Sequence, residues 1–216
     1  SRASFGMYNA HEDIDALTTT EMRPSAHGDV VHSRPVAINY GTNIAPQVVV
    51  FYGGNDGVLR AINGNRSTAI GTVGAGSELW SFVAPEFFPY IGRLAYNDVQ
   101  ISYESNPTED PLPQPKPYGL DGPISAYSSP TAKWVYATAR RGGRVVYALD
   151  VTDVSTPSLL WKIGCPTNLP DIDDPDYVPG GYPASIDDGC TGGLSGLGQT
   201  WSAPKVLKTL GYVSGT

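Results

Sequence analysis

Three observations predict an all-β protein of the β-propeller kind. Short runs of β-branched and aromatic residues alternate with Gly-rich turns, and 25 Gly with 19 Pro among 216 residues leave little room for long helices. One order of four such runs occurs twice. Each occurrence closes on an apolar run with a Trp, the pattern expected of blades that stack sheet on sheet.

Residues 1–27 form a lead-in, in which residues 9–22 read as a turn or two of helix stopped by Pro24. The first blade spans residues 28–83. Its runs are Val30-Val31 and Val36-Ala37-Ile38, then residues 48–52, residues 58–62 and residues 78–83. Residues 48–52 are apolar throughout, as in a strand covered on both faces, and Gly53-Gly54-Asn55-Asp56-Gly57 supplies positive-φ positions for a tight hairpin. The second blade, residues 119–163, repeats the order with residues 122–127, 133–138, 145–150 and 159–163. Ala61-Ile62-Asn63 matches Ala148-Leu149-Asp150 at an offset of 87, and Leu79-Trp80 matches Leu160-Trp161 at an offset of 81. Trp80 and Trp161 are therefore read as blade-packing residues. A third unit opens at residues 198–216, where Gly198-Gln199-Thr200-Trp201-Ser202-Ala203-Pro204-Lys205-Val206 echoes His32-Ser33-Arg34-Pro35-Val36. Residues 84–118 and 164–197 are insertions between the units. Two blades and the opening of a third fall short of the roughly four needed for closure, so the chain is expected to be a partial propeller completed by blades of a longer parent chain.

The chain carries 14 basic and 21 acidic residues, a net charge of −7 and a pI near 4.8, which disfavours phosphate backbones and anionic lipid, and so nucleic acid as a partner. No run approaches the roughly 18 apolar residues of a membrane-spanning helix, so membrane insertion is not expected. Cys165 and Cys190 lie in a Pro-, Gly- and Asp-rich segment without neighbouring Cys or His for zinc. They read as a disulfide, worth roughly 3.5 kcal/mol of loop-closure entropy, in a protein of an oxidising compartment.

Residues 28–36, 52–62, 147–153 and 198–204, four motifs in order, together resemble the PilY1 family of tip-associated proteins of bacterial type IV pili. The resemblance implies a propeller of the quinoprotein-dehydrogenase-like type that acts by binding, without catalysis. It implies roles in pilus assembly, control of retraction, surface adhesion and twitching motility. The implied location is extracellular, at the pilus tip, after export through the periplasm. The implied partners are minor pilins of the tip complex and a host or abiotic surface. It further implies a calcium loop in a later blade and no cofactor in this segment. The acidic cluster Asp171, Asp173, Asp174 and Asp176 does not match such a loop, because Pro175 stands at the fifth position and no Gly at the sixth.

Other residues that suggest chemistry have plainer explanations. Asp29, His32 and Ser33 include the residue types of a hydrolase triad but are too close in sequence to converge on one another, and read as a polar turn. Gly71-Thr72-Val73-Gly74-Ala75-Gly76 lacks the Lys-Ser/Thr ending of a phosphate cradle, and Gly193-Leu194-Ser195-Gly196 lacks the spacing of a nucleophile elbow. Asn55 and Asp56 at the hairpin tip are explained by turn geometry before any ion. Trp134 and Trp201, like Trp80 and Trp161, are read as packing residues and not as a stacking platform. Two alternatives share the architecture. A quinoprotein-like dehydrogenase would need a cofactor pocket on the axis and commonly carries a disulfide of adjacent Cys, unlike this pair. A carbohydrate- or protein-binding propeller unrelated to pili would expose aromatics in a groove, with Tyr96, Tyr103, Tyr118, Tyr177 and Tyr182 of the insertions as candidates.

Overall fold

The structure, a computed structural model, describes residues 28–96, 101, 115–165, 190–194 and 196–207. Strands β1 (Val36–Asn39), β2 (Val48–Gly53), β3 (Val58–Asn63) and β4 (Glu78–Val83) form one antiparallel meander. Strands β5 (Ser125–Ser128), β6 (Lys133–Thr138), β7 (Arg144–Asp150) and β8 (Ser158–Cys165) form a second. The β-branched and aromatic runs thus become strands where the pattern predicted them. Val30-Val31 is an exception and belongs to no strand. The backbone beside it serves the first hairpin instead, with Asp29 O accepting from Asn55 N at 3.0 Å.

The two sheets are copies down to their irregularities. Phe51, Ala61 and Trp80 are successive register partners across β2, β3 and β4, and Tyr136, Ala148 and Trp161 hold the same places in β6, β7 and β8. Both sheets slip register at the equivalent point, between Ala61 and Ile62 and between Ala148 and Leu149. Such a slip leaves an extra residue on the last strand and sharpens its twist. Asn63 and Asp150, which end the third strands, both use the side chain to hold the following loop. Asn63 Nδ2 donates to Thr68 O and Val73 O, and Asp150 Oδ1 accepts from Thr152 N at 2.8 Å.

The core lies between the sheets. Ile38, Val49, Phe51, Leu59 and Ala61 of the first meet Val135, Ala137, Val145, Tyr147 and Leu149 of the second in one buried cluster. Phe82 meets Tyr147 edge-on at 5.4 Å, and the Trp80 ring, 5.7 Å from that of Phe51, donates its Nε1–H to Val154 O at 2.9 Å. Tyr40 OH donates to Val151 O at 2.6 Å. Burial, then the nearby charges of Asp150 and Asp153, push the Tyr40 hydroxyl well above the usual tyrosine range, so it remains a donor.

Between the sheets, the segment read as an irregular insertion begins with a 3₁₀ turn (Pro85–Phe87) and a short helix, α1 (Phe88–Tyr96). The turn closes one end of the core. Phe87 is buried over the first hairpin, and Glu86 accepts from Tyr147 OH and pairs with Lys162 Nζ at 2.6 Å. Gly57 is required there twice over: its φ is +74°, and a Cβ would lie 2.5 Å from that of Phe87. Gly53 is glycine for a different reason from the one its turn sequence suggests. It ends β2 without positive φ, and the Leu120 backbone passes where a side chain would be.

The other side of the second sheet is uncovered by described residues. Tyr136 and Trp161 pair there at 5.9 Å as Phe51 and Trp80 do, but Trp161 is 39% exposed, beside Leu159 and Leu160, also exposed. Replacing Trp80 with Ala should therefore destabilise this chain by about 3–5 kcal/mol, and Trp161 with Ala by about 1 kcal/mol or less. Urea unfolding of the two variants checks this; equal losses would contradict the packing described.

Candidate functional site

At the end of the sheets where each unit is entered, the chain passes the preceding hairpin and bonds to it. Leu120 N donates to Gly54 O at 3.0 Å as the second unit begins. Thr200 repeats the contact at the next junction. Its Oγ1 accepts from Ala139 N at 3.0 Å and donates to Val145 O at 3.0 Å, and its carbonyl accepts from Arg140 N at 3.2 Å. Trp201 to Leu207 continue without regular structure.

Polar side chains fasten these junctions. Asn55 Nδ2 donates to Asp29 Oδ2 at 3.0 Å while its Oδ1 accepts from Gly119 N at 3.2 Å, so one hairpin tip holds the entries of both units. Asp56 is buried and occupied by Arg60, whose Nη2 stands 2.5 Å from Oδ2, and by Gly28 N at 3.0 Å. Its carboxylate thus joins Arg60, the first entry at Gly28 and, through Val58 N at 3.3 Å, its own turn. For Asp29, burial would raise the carboxyl, but hydrogen bonds from Lys116 and Asn55 and the Lys116 charge outweigh it and hold the group below the usual carboxylate range.

The disulfide Cys165–Cys190 is formed and shapes the next junction. It ties the end of β8 to a turn in which Thr191 N donates to Gly164 O at 2.8 Å, and Leu197 O accepts from Arg144 Nε at 2.5 Å, just before Thr200 docks.

These junctions enclose a polar cleft of about 480 Å³, lined by residues 31–34 of the first entry, Pro123 of the second, Arg140 of the second hairpin, and Trp201 and Ala203. Behind its wall Asp121 is 1% exposed; its Oδ2 accepts from His32 Nδ1 at 2.9 Å and from Arg140 Nη1 at 3.4 Å. Asp121 Oδ1 is buried without a hydrogen-bond partner among the described residues. The Arg140 guanidinium lies 4.5 Å from the centre of the Trp201 ring, a cation–π contact, and Trp201 is 48% exposed. Arg140 is also the one described non-glycine residue with positive φ, at 51°. The wall therefore presents cations and an indole face, an arrangement suited to holding a ligand.

Of the residues considered from sequence, Asp29, His32 and Ser33 diverge to separate partners: Lys116, Asp121, and the Gly53 N–H that donates to Ser33 Oγ at 2.8 Å. Gly71 and Thr72 form a tight turn closed by Ile70 and Val73, and a second turn follows in which Ser77 N donates to Gly74 O at 3.1 Å, with positive φ at Gly71 and Gly76. Gly193 likewise sits in a turn with positive φ. Tyr118 accepts from Arg141 Nη1 at 3.1 Å. The acidic cluster at 171–176, the lead-in 1–27, and Tyr103, Tyr177 and Tyr182 lie outside the described residues, as does the side chain of Tyr96. Sequence reasoning missed Asp121, Arg140 and Arg34 as site residues and read Trp201 as packing. A signal was present: Arg34, Gly122 and Ala203 each precede a Pro at the entry of a unit.

Fold and cleft together define a protein of repeated four-stranded antiparallel units, disulfide-bonded, with a polar cleft where the units are entered. No family model matches the chain. It is 25% identical, over an alignment of 214 positions that covers 87% of the chain, to a type IV pilus biogenesis factor PilY1 homolog of Xylella fastidiosa (strain Temecula1 / ATCC 700964), and it spans 14% of that protein's length. A search of solved structures finds the Pseudomonas aeruginosa PilY1 C-terminal domain, with 22% identity, a TM-score of 0.33, and coverage of 58% of this chain and 20% of that one. This similarity agrees with the PilY1-family resemblance that its motifs carry. No helix among the described residues is long and apolar enough to cross a membrane.

The Asp29 contacts predict a pH effect. A carboxyl with a depressed folded pKa stabilises above its unfolded value, about 3.9, and that stability is lost as pH falls through the lower folded value. Asp29→Asn should thus lower stability near neutrality, by no more than about 1 kcal/mol given the exposure of the pair, and the gap from wild type should shrink below about pH 4. Urea midpoints across pH check this; a gap that widens on acidification would contradict it.

Proposed function

We propose that this chain is part of a β-propeller of the quinoprotein-dehydrogenase-like type in an exported, non-enzymatic protein of the type IV pilus tip. It serves pilus assembly, retraction control, adhesion and twitching motility by binding minor pilins and an external surface. The observation that carries the pilus reading is the similarity, over 87% of the chain, to a protein described as a type IV pilus biogenesis factor. The propeller reading is supported by the faces of the sheets. Tyr136 and Trp161 reproduce on the uncovered face the aromatic pair that the second sheet covers on the first, and Ser125 Oγ is buried there without a partner among the described residues. A further blade of the parent chain, entered after Thr200, completes that face. Calcium, where the protein binds it, belongs to a later blade. The insertions at 84–118 and 164–197 carry the contact surface, since the sheets do not need most of their Tyr, Pro and Asp.

Two experiments test this reading. Deleting the parent gene should abolish surface pili or twitching, and complementation with parent protein lacking either insertion should restore less of both; normal piliation in the deletion strain overturns the pilus assignment. In the parent protein Trp161→Ala should cost as much as Trp80→Ala, about 3–5 kcal/mol, because the third blade covers it. A cost there as small as in the 216-residue chain overturns the propeller reading.

A further inference from the structure

We infer that the cleft at the junction of the units is a binding site for a carboxylate joined to an apolar or aromatic body. The argument rests on charge, shape and backbone, and needs no pilus role. Arg34 and Arg140 bring two permanent positive charges to the wall, and Asp121 behind it returns one negative charge, which leaves one net positive charge in a chain that carries −7 overall. A single positive charge matches a monoanion better than a phosphate dianion. Guanidinium forks match the planar carboxylate in geometry.

Each wall group is prepared for such a ligand. Arg34 is exposed and has no hydrogen-bond partner among the described residues, so its fork is unspent. Arg140 contacts Asp121 through Nη1 alone, and its guanidinium carbon lies 4.5 Å from the centre of the Trp201 ring, which keeps the head group beside the indole. Asp121, buried and with Oδ2 shared between His32 and Arg140, positions both without filling the cleft. Its partnerless Oδ1 and the positive φ of Arg140 are both costs to the fold, of the kind that persists where a site needs a group in a set place. The half-exposed indole supplies an apolar face beside the cations, and about 480 Å³ lies within the ordinary size of small-ligand clefts. The same chemistry is offered by a free aromatic acid and by an acidic side chain next to an aromatic one in a partner protein.

The test uses the 216-residue chain with three probes followed by isothermal titration: 4-hydroxyphenylacetate, the blocked dipeptide acetyl-Glu-Phe-amide, and inorganic phosphate. Saturable binding of either carboxylate, about tenfold weakened by Arg140→Gln and by Arg34→Gln, is the expected result, with phosphate weaker than both. Binding of the dipeptide over the free acid marks a protein-borne ligand, and the reverse a free one. Arg34 is exposed and unpartnered, so its variant keeps the test valid if Arg140→Gln fails to fold. The inference is overturned if neither carboxylate binds the folded wild type, if both Arg variants bind as wild type does, or if phosphate binds as tightly.

Discussion

Burial of Phe51 and Leu59, with Trp80 packed against them, beneath Val135, Tyr147 and Leu149 of the neighbouring sheet sets the position of everything else in the molecule. Each four-stranded meander alone would leave its apolar face in water. Packed face to face they share one core, and the contact is pinned at its margins by Trp80 to Val154 and Tyr40 to Val151. Because the sheets are fixed to one another, so are the points where the chain enters each. The cleft exists only because these entries converge at one end.

The polar groups follow from the same constraint. A chain that passes from one sheet to the next must bring backbone N–H and C=O groups into a partly buried junction, where each needs a partner. Asn55 meets this demand in both directions, toward Asp29 and toward Gly119, and Thr200 does so with its hydroxyl and its carbonyl at the next junction. The disulfide contributes by holding residues 190–194 against β8, a few positions before Thr200 meets the second hairpin. Its role is to deliver a junction as well as to close a loop.

Much of the fold was legible in the sequence because a half-buried strand writes its environment into its residue types. The runs at 48–52 and 145–150 could be recognised without their partners, and the matched Trp80 and Trp161 disclosed the repeat. What was not legible depended on approach between distant segments. Gly53 looks like a turn residue, yet its small size is set by Leu120, more than sixty positions away. The turn and helix at 85–96 were hidden in a stretch whose Pro and Gly suggest irregular chain, because Phe87 and Glu86 find their partners only on the folded sheets. The cleft was least visible of all: His32, Asp121, Arg140 and Trp201 come from four places in the sequence, and none belongs to a local motif.

The two units are not perfect copies, and the difference bears on the cleft. From the paired residues Gly53 and Leu59 in one hairpin to Thr138 and Val146 in the other, the second turn is two residues longer. In the first turn the buried ion pair of Asp56 and Arg60 satisfies its charges internally. In the second, the added length lets Arg140 turn outward through a left-handed backbone to reach both Asp121 and Trp201. A residue concerned only with closing that turn would be glycine, which adopts this conformation without strain. The retained arginine is thus explained by what its side chain does between the units, where it links the entry of one to the entry of the next and gives an acidic chain a cationic recess.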